Sequence, residues 1–416
     1  MRYVLAVTML CAGVAVGQEL PKNTREIKTL TVEQAAHLAK TYSGLGLSLT
    51  GNIYPNDLLL DGVTELTPEI AAALAEHTDS TLSLGGLKTL SPEVAVSLAK
   101  HQGQLRLDGI TALPAEVAVE LAKHEGDLIL GGLATLSFEA ARVLAKHHAS
   151  DFYANGVAWI SDDAAAVLAK KSGNILSLDG LKVLTSAALA KRLTSVPWSE
   201  LDFEKLDTLS AEAARGLAHY EGHLYLDRVT ELSKEQAESL ATHVGDILSL
   251  NGVATLSPEA AKALGQHEGV LYLNGLTTLS DDAAKALSRH AGGLSLSGLT
   301  TLSDEAAKAL SLYKDGLTLD GLTTLSDGQA IALAGTKGGL SLDGLTTLSD
   351  DAAKALGQHK GGLSLNGLTT LPDEAAKALA QHKGSLDLGS LTTLSDEAAA
   401  ALRSNPQILL PAKFKQ

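Results

Sequence analysis

The sequence predicts an α/β solenoid with a parallel inner sheet and short outer helices, and three observations carry that prediction. The pattern L-x-L-x-G-L recurs with its first leucine at positions 58, 82, 105, 128, 152, 176, 201, 224, 248, 271, 294, 317, 340, 363 and 386, Phe152 standing in once, which makes fifteen units of 23 to 25 residues. Such a period belongs to repeats that bury their apolar faces on one another. Each unit opens with leucines alternating with other residues, the period of a strand with one buried face. Each then supplies a cap and an apolar spacing of three, the mark of a helix.

The elements follow in chain order. "MRYVLAVTMLCAGVAVGQ" pairs one basic residue with an apolar run and with Ala15 and Gly17 ahead of a cleavage point, so residues 1–17 read as a signal peptide, with a buried first strand as the other reading. Cys11 is the only cysteine, and a mature chain would have no disulfide. No segment is long enough to span a membrane after cleavage. Residues 18–57 read as an N-terminal cap with a degenerate repeat through Ile27, Leu30, Ala35, Leu38, Leu47 and Leu49; residues 58–402 form the solenoid; residues 403–416 form a C-terminal cap or tail. At roughly 4.8 Å between strands, fifteen units imply an array on the order of 70 Å along the sheet.

In "LSLSGLTTLSDEAAKAL", residues 294–310, Leu294 and Leu296 form the strand, Gly298 interrupts it, and Ser303 caps a helix. Ser or Thr holds the cap position in thirteen of fifteen units, and Asp or Glu follows two residues later in thirteen, where a negative charge opposes the positive helix end. The Ala307 position is alanine in fourteen units and the Leu310 position leucine in fourteen, which places both on one helix face toward the strand.

These motifs, as in "LSLDGLTTLSDDAAKAL" at 340–356, resemble those of leucine-rich-repeat proteins of the bacterial secreted or surface type with repeats of about 23 residues. The resemblance covers about residues 27–402. Two features depart from the family: glycine-leucine, as at Gly344-Leu345, recurs where an asparagine ladder is usual, and Ala353 stands where the surface variant has an aromatic. The resemblance implies recognition of proteins, peptides or glycans, without naming one.

A formal charge of −15, from 33 basic and 48 acidic residues, argues against nucleic-acid binding, since no basic arm offsets it. His77, His101, His124, His147, His243, His267, His290, His359 and His382 share one repeat position, with Tyr220 and Tyr313 replacing histidine twice. Tyrosine is a poor substitute for an imidazole ligand, so the ladder reads as structural, satisfying carbonyls at the helix end, and no zinc is expected. Asp61, Asp108, Asp179, Asp227, Asp320 and Asp343 form a second ladder, most of them directly before glycine. Turn formation is the simpler reading, an acidic concave surface the functional one. Threonine pairs such as Thr300-Thr301 form a third, suited to extended bends, with adsorption to a regular surface as the distant alternative.

Uniformity breaks in the unit at Leu176, where Leu189 and Arg192 occupy the helix positions and a shift of one restores Ala190 and Leu193, pointing to one inserted residue. "TSVPWSELDF" then stretches the return. Phe152, Tyr153, Trp159, Trp198 and Phe203 lie around this break in a chain with few aromatics, and form a candidate binding patch or a repair of the core. No catalytic constellation, cofactor motif or metal motif is present in the sequence. The expected function is a non-enzymatic recognition module, secreted, periplasmic or associated with the cell envelope, that binds a protein, peptide or glycan. A structural protein with self-association is the alternative, and a hydrolase a distant third.

Overall fold

A computed structural model describes residues 20–21, 23–42, 57–78, 80–147, 151–173 and 175–415. The signal peptide expected at 1–17, and Leu47 and Leu49 of the opening repeat, lie outside them. The described residues fall into two compact units, one from Met1–Ala134 with Lys146–Ala154, the other from Thr135–Ala145 with Asn155–Gln416.

In the first unit, a 3-10 turn at Thr24–Glu26 and a helix at Val32–Tyr42 precede five parallel strands: β1 (Leu58–Leu59), β2 (Leu82–Ser83), β3 (Leu105–Arg106), β4 (Leu128–Ile129) and β5 (Phe152–Tyr153). The register is the repeat itself, Leu58 beside Leu82, Leu105, Leu128 and Phe152 in turn. The second unit holds β6 (Leu176–Ser177), β7 (Val183–Leu184), β8 (Glu200–Asp202), β9 (Thr208–Leu209), β10 (His223–Tyr225), β11 (Ile247–Ser249), β12 (Val270–Tyr272), β13 (Leu294–Ser295), β14 (Leu317–Thr318), β15 (Leu340–Ser341), β16 (Leu363–Ser364), β17 (Leu386–Asp387) and β18 (Ile408–Leu409). Ten of them form one parallel sheet from β8 and β10 through β18, while β7 and β9 make a separate pair. β8 ends that sheet: no ladder joins it to β6 among the described residues. The inserted residue and the stretched return therefore interrupt the hydrogen bonding inside this unit.

Each strand of the array before β18 leads, directly or by way of β7 or β9, to a helix of about two turns, such as Asp304–Leu310, and local chemistry explains it. The Ser303 hydroxyl accepts the Ala306 N–H at 2.9 Å, one of the donors a helix start leaves unpaired. The same hydroxyl donates to the Asp281 carboxylate of the preceding unit at 2.5 Å, and Ser349 does likewise to Asp327. Pro114 and Pro372 begin their helices without a side-chain cap. Leu294, Leu296, Leu299, Ala307 and Leu310 are all but inaccessible to solvent, and fully burying a leucine contributes about 1.5–3 kcal/mol. In the irregular unit the helix runs Ala187–Leu193 behind Ser186, with Ala190 and Leu193 buried as the one-residue shift requires.

The glycine before the third leucine answers to close approach. A Cβ at Gly344 would collide with the backbone carbonyls of Asp320 and Leu322 in the preceding unit. Without a side chain there, the turns stack at strand spacing.

The histidine ladder is buried throughout, no ring position being more than 5% exposed. Rings of successive units stack at 5.6, 6.1 and 6.3 Å from His77 to His147 in the first unit. In the second, His267 stacks on His290 at 6.0 Å and His290 on Tyr313 at 6.3 Å. Their polar partners differ from the expected carbonyls of the histidine's own helix: most belong to the preceding unit. His101 Nδ1 lies 2.8 Å from the His77 carbonyl and Nε2 3.1 Å from that of Ser80; a neutral ring donates from one of them. His382 Nε2 reaches the Gly361 carbonyl at 3.1 Å. Three replacements, Tyr220, Tyr313 and Asn405, keep the bond to the preceding unit by other chemistry, while Lys171 and Thr336 reach carbonyls of their own unit. Tyr220 and Tyr313 donate to the carbonyls of Trp198 and Gly292 at 2.8 and 2.6 Å. Asn405, at the ladder position of the last unit, reaches the His382 carbonyl at 2.7 Å, and Arg192, within the helix that precedes Val196, reaches the Lys171 carbonyl at 3.0 Å.

Candidate recognition face

Alternation along each strand turns two leucines into the core and leaves three positions, before, between and after them, on the outward face of the sheet. The last of the three carries the aspartate and asparagine ladder. Asp343 Oδ1 accepts the Ser364 hydroxyl at 2.6 Å and the Asn366 N–H at 2.7 Å, both from the next unit. Asp320 accepts Ser341 and the Asp343 N–H, Asp227 accepts Ser249 and the Asn251 N–H, and Asp61 accepts Ser83 and the Gly85 N–H in the same way. Asp108 accepts the Gly131 N–H at 2.9 Å and pairs with Arg106. Asn274 and Asn366 serve identically, accepting the N–H of Ser297 and Gly389. A backbone-binding ladder thus stands directly before the glycine-leucine, written in both acid and amide. Asp179 departs from the row: its carboxylate accepts the Asn155 side-chain amide at 3.0 Å, and burial raises its pKa above the ordinary value. No group of three or more His, Cys, Asp or Glu among the described residues could hold a metal.

The aromatic set divides. Phe152 and Phe203 fill the core at 0% and 3% exposure, and Tyr153 is half-buried, its hydroxyl 3.3 Å from Asp151. Trp159 and Trp198 are 58% and 41% exposed. Phe152 and Tyr153 belong to the first unit, Trp159, Trp198 and Phe203 to the second. Trp198 borders a recess of about 580 Å³ with Lys191, His219, Glu221, His223 and Asp246, opened where the ladder histidine is replaced by Val196.

The sequence reading missed a further group. In the second unit the outward positions of β8 and the turn after it are Glu200, Asp202 and Glu204, those of β10 are His223, Tyr225 and Asp227, and β11 and β12 add Ile247, Ser249, Val270 and Tyr272. Register sets His223 beside Glu200 and Tyr225 beside Asp202. His223 Nδ1 lies 4.0 Å from the Glu200 carboxylate. Burial, then the charges of Glu204, Asp227 and Glu200, raise the pKa of Asp202 above the usual carboxylate value. Burial and Glu200, then Tyr272 and the aspartates, push the Tyr225 hydroxyl up as well. Arg228 is engaged by Asp207 at 3.0 Å. From β13 to β16 the first two of these positions hold only Gly293, Gly316, Gly339 and Gly362 with Ser295, Thr318, Ser341 and Ser364, the third keeping the ladder in Ser297, Asp320, Asp343 and Asn366. They floor a trough of about 600 Å³ that ends at Val270 and Tyr272 on one side and Gln407 and Leu409 on the other. The available signal was departure from Gly-Leu-Ser/Thr-Leu, which marks outward positions once the strand phase is known.

This architecture, repeated parallel strands each backed by a short helix and tied by a side-chain ladder, is that of a leucine-rich-repeat solenoid. No protein-family model and no curated protein matches the chain. Among solved structures it is similar to a leucine-rich-repeat protein of Leptospira interrogans, at 20% identity over 90% of this chain and 97% of that one, with a TM-score of 0.41. It is also similar to Drosophila Toll in its complex with Spatzle, at 15% identity over 78% of this chain and 43% of that one, TM-score 0.44. An internalin of Listeria monocytogenes aligns at 16% identity over 94% of this chain and 98% of that one, TM-score 0.28. Among the described residues no helix is long and apolar enough to cross a membrane.

Proposed function

We propose that the chain is a non-catalytic recognition module, secreted or held at the cell envelope, that binds a protein, peptide or glycan through the outward face of β8 to β12. One observation carries this reading. Inward positions repeat leucine and alanine with little change, while the two outward positions before and between the strand's core residues switch from glycine and serine or threonine to acid, imidazole and phenol within these four strands. Packing cannot require that change, because the side chains point away from the core. Large aromatic groups in a solvated, chemically mixed patch are the usual anchors of recognition. Probing peptide and glycan arrays with the full chain tests it. Saturable binding is expected, lost in Tyr225→Ala and Tyr272→Ala and kept in Thr318→Ala; binding lost only in Thr318→Ala would transfer the site to the glycine floor.

The near-identity of the units after residue 271 favours a second reading, a self-associating structural protein. Light scattering across a hundredfold range of concentration separates the two. A monomer mass throughout supports recognition, and regular growth supports self-association.

A further inference from the structure

The interruption of the sheet places an acidic and aromatic surface where the hydrogen-bonded ladder ends. β8 is the terminal strand of its sheet, and it and the turn that follows present a carboxylate at each outward position, Glu200, Asp202 and Glu204. Glu200 is 63% exposed and Asp202 is also open to solvent. The neighbouring strand adds Tyr225, and Tyr272 lies two strands beyond it in register. Of the nearby cations, Arg228 is held by Asp207, and Lys205 follows Glu204 at the turn. Exposed carboxylates beside phenol rings, Glu200 with the imidazole of His223 4.0 Å away, offer a cation two attractions, charge pairing at the acids and cation–π contact at the ring faces.

We infer that this face takes an extended basic peptide, its lysine or arginine side chains against Glu200 and Asp202 and its aliphatic stems along Tyr225 and Tyr272. The inference rests on the recognition reading above and adds the class of partner. An extended segment suits the geometry, because the outward positions of parallel strands form rows with a spacing of roughly 4.8 Å, and alternate residues of a peptide project to one side every ~7 Å. A net charge of −15 steers such a partner toward the molecule, while the face decides where it docks.

The test measures binding of the full chain to labelled peptides of alternating lysine or arginine with serine, against peptides of the same length with glutamine in place of the basic residue. Glu200→Gln with Asp202→Asn removes the proposed charges. Asp351→Asn with Glu374→Gln removes two exposed helix carboxylates at the same net charge. Circular dichroism verifies that both variants fold. The basic peptides should bind the native chain with an affinity that falls steeply as salt is raised. The first variant should lose about tenfold or more, Tyr225→Ala a further several-fold, and the helix variant less than about twofold. Equal losses in the two double variants would show nonspecific attraction and overturn the proposal. Binding of glutamine peptides or neutral glycans at this face, with no preference for basic ones, would overturn it and leave the recognition reading intact. Failure of every probe at this face would count against both.

Discussion

His101 has both ring nitrogens close to backbone carbonyls and its faces against the rings of His77 and His124. Burial foremost, then the charge of a neighbouring histidine, lowers its pKa to about 4, and burial does the same for His267 and His243. These rings are neutral at pH 7 and act as packing groups with one donor. Their pKa values are depressed relative to an unfolded histidine near 6.5, so the unfolded chain binds more protons between pH 6.5 and 4. Stability is therefore full above about 6.5, falls as the pH drops through that window, and levels below about 4, with at most ~3 kcal/mol from each of the three groups. Urea unfolding at pH 7 and 4.5 should show a lower midpoint at pH 4.5; equal midpoints would contradict a buried neutral ladder. His290→Ala should cost about 2–4 kcal/mol through a cavity and a lost bond. His290→Tyr should cost less than half of that, because Tyr313 already spans the same position to the Gly292 carbonyl.

Among elements, the turn after each strand decides how neighbouring units join. Asp343→Ala leaves the Asn366 N–H and the Ser364 hydroxyl without their acceptor and should destabilise by about 1–3 kcal/mol, whereas Asp343→Asn should be nearly neutral, since Asn366 and Asn274 do the same work. Gly344→Ala should cost about 1–3 kcal/mol, because the methyl meets backbone that cannot rotate away. Thermal unfolding of the three variants checks both statements. Much of this was legible in the sequence: the alternation around Leu294 and Leu296, the Ser303 cap, and the shift to Ala190 and Leu193 are local patterns read directly from residue order. The direction of the histidine bonds was hidden, since a helix-end position is near the carbonyls of two units and sequence cannot choose between them. The outward acids and tyrosines were hidden for another reason. Glu200, Tyr225 and Tyr272 are scattered single residues in the chain, and only the register of parallel strands assembles them.

For the whole molecule, a repeat array has ends that must be closed. Asn405 ties the last helix to the unit before it, Lys413 donates to the Thr392 carbonyl at 2.6 Å, and Ile408 and Leu410 are buried. Deleting residues 405–416 should uncover the apolar end of the last full unit and give concentration-dependent association in light scattering beyond that of the full chain. The proposed signal peptide makes a separate prediction, an exported chain whose mass lacks the first 17 residues. The central claim is that one stretch of the sheet recognises a partner while the other units support it. Its most direct test places a photo-crosslinking residue at position 225 or at position 318 of the full chain and irradiates it with the tightest peptide or glycan found on the arrays. The account predicts a covalent adduct from position 225 and none from position 318; an adduct from 318 alone would contradict it.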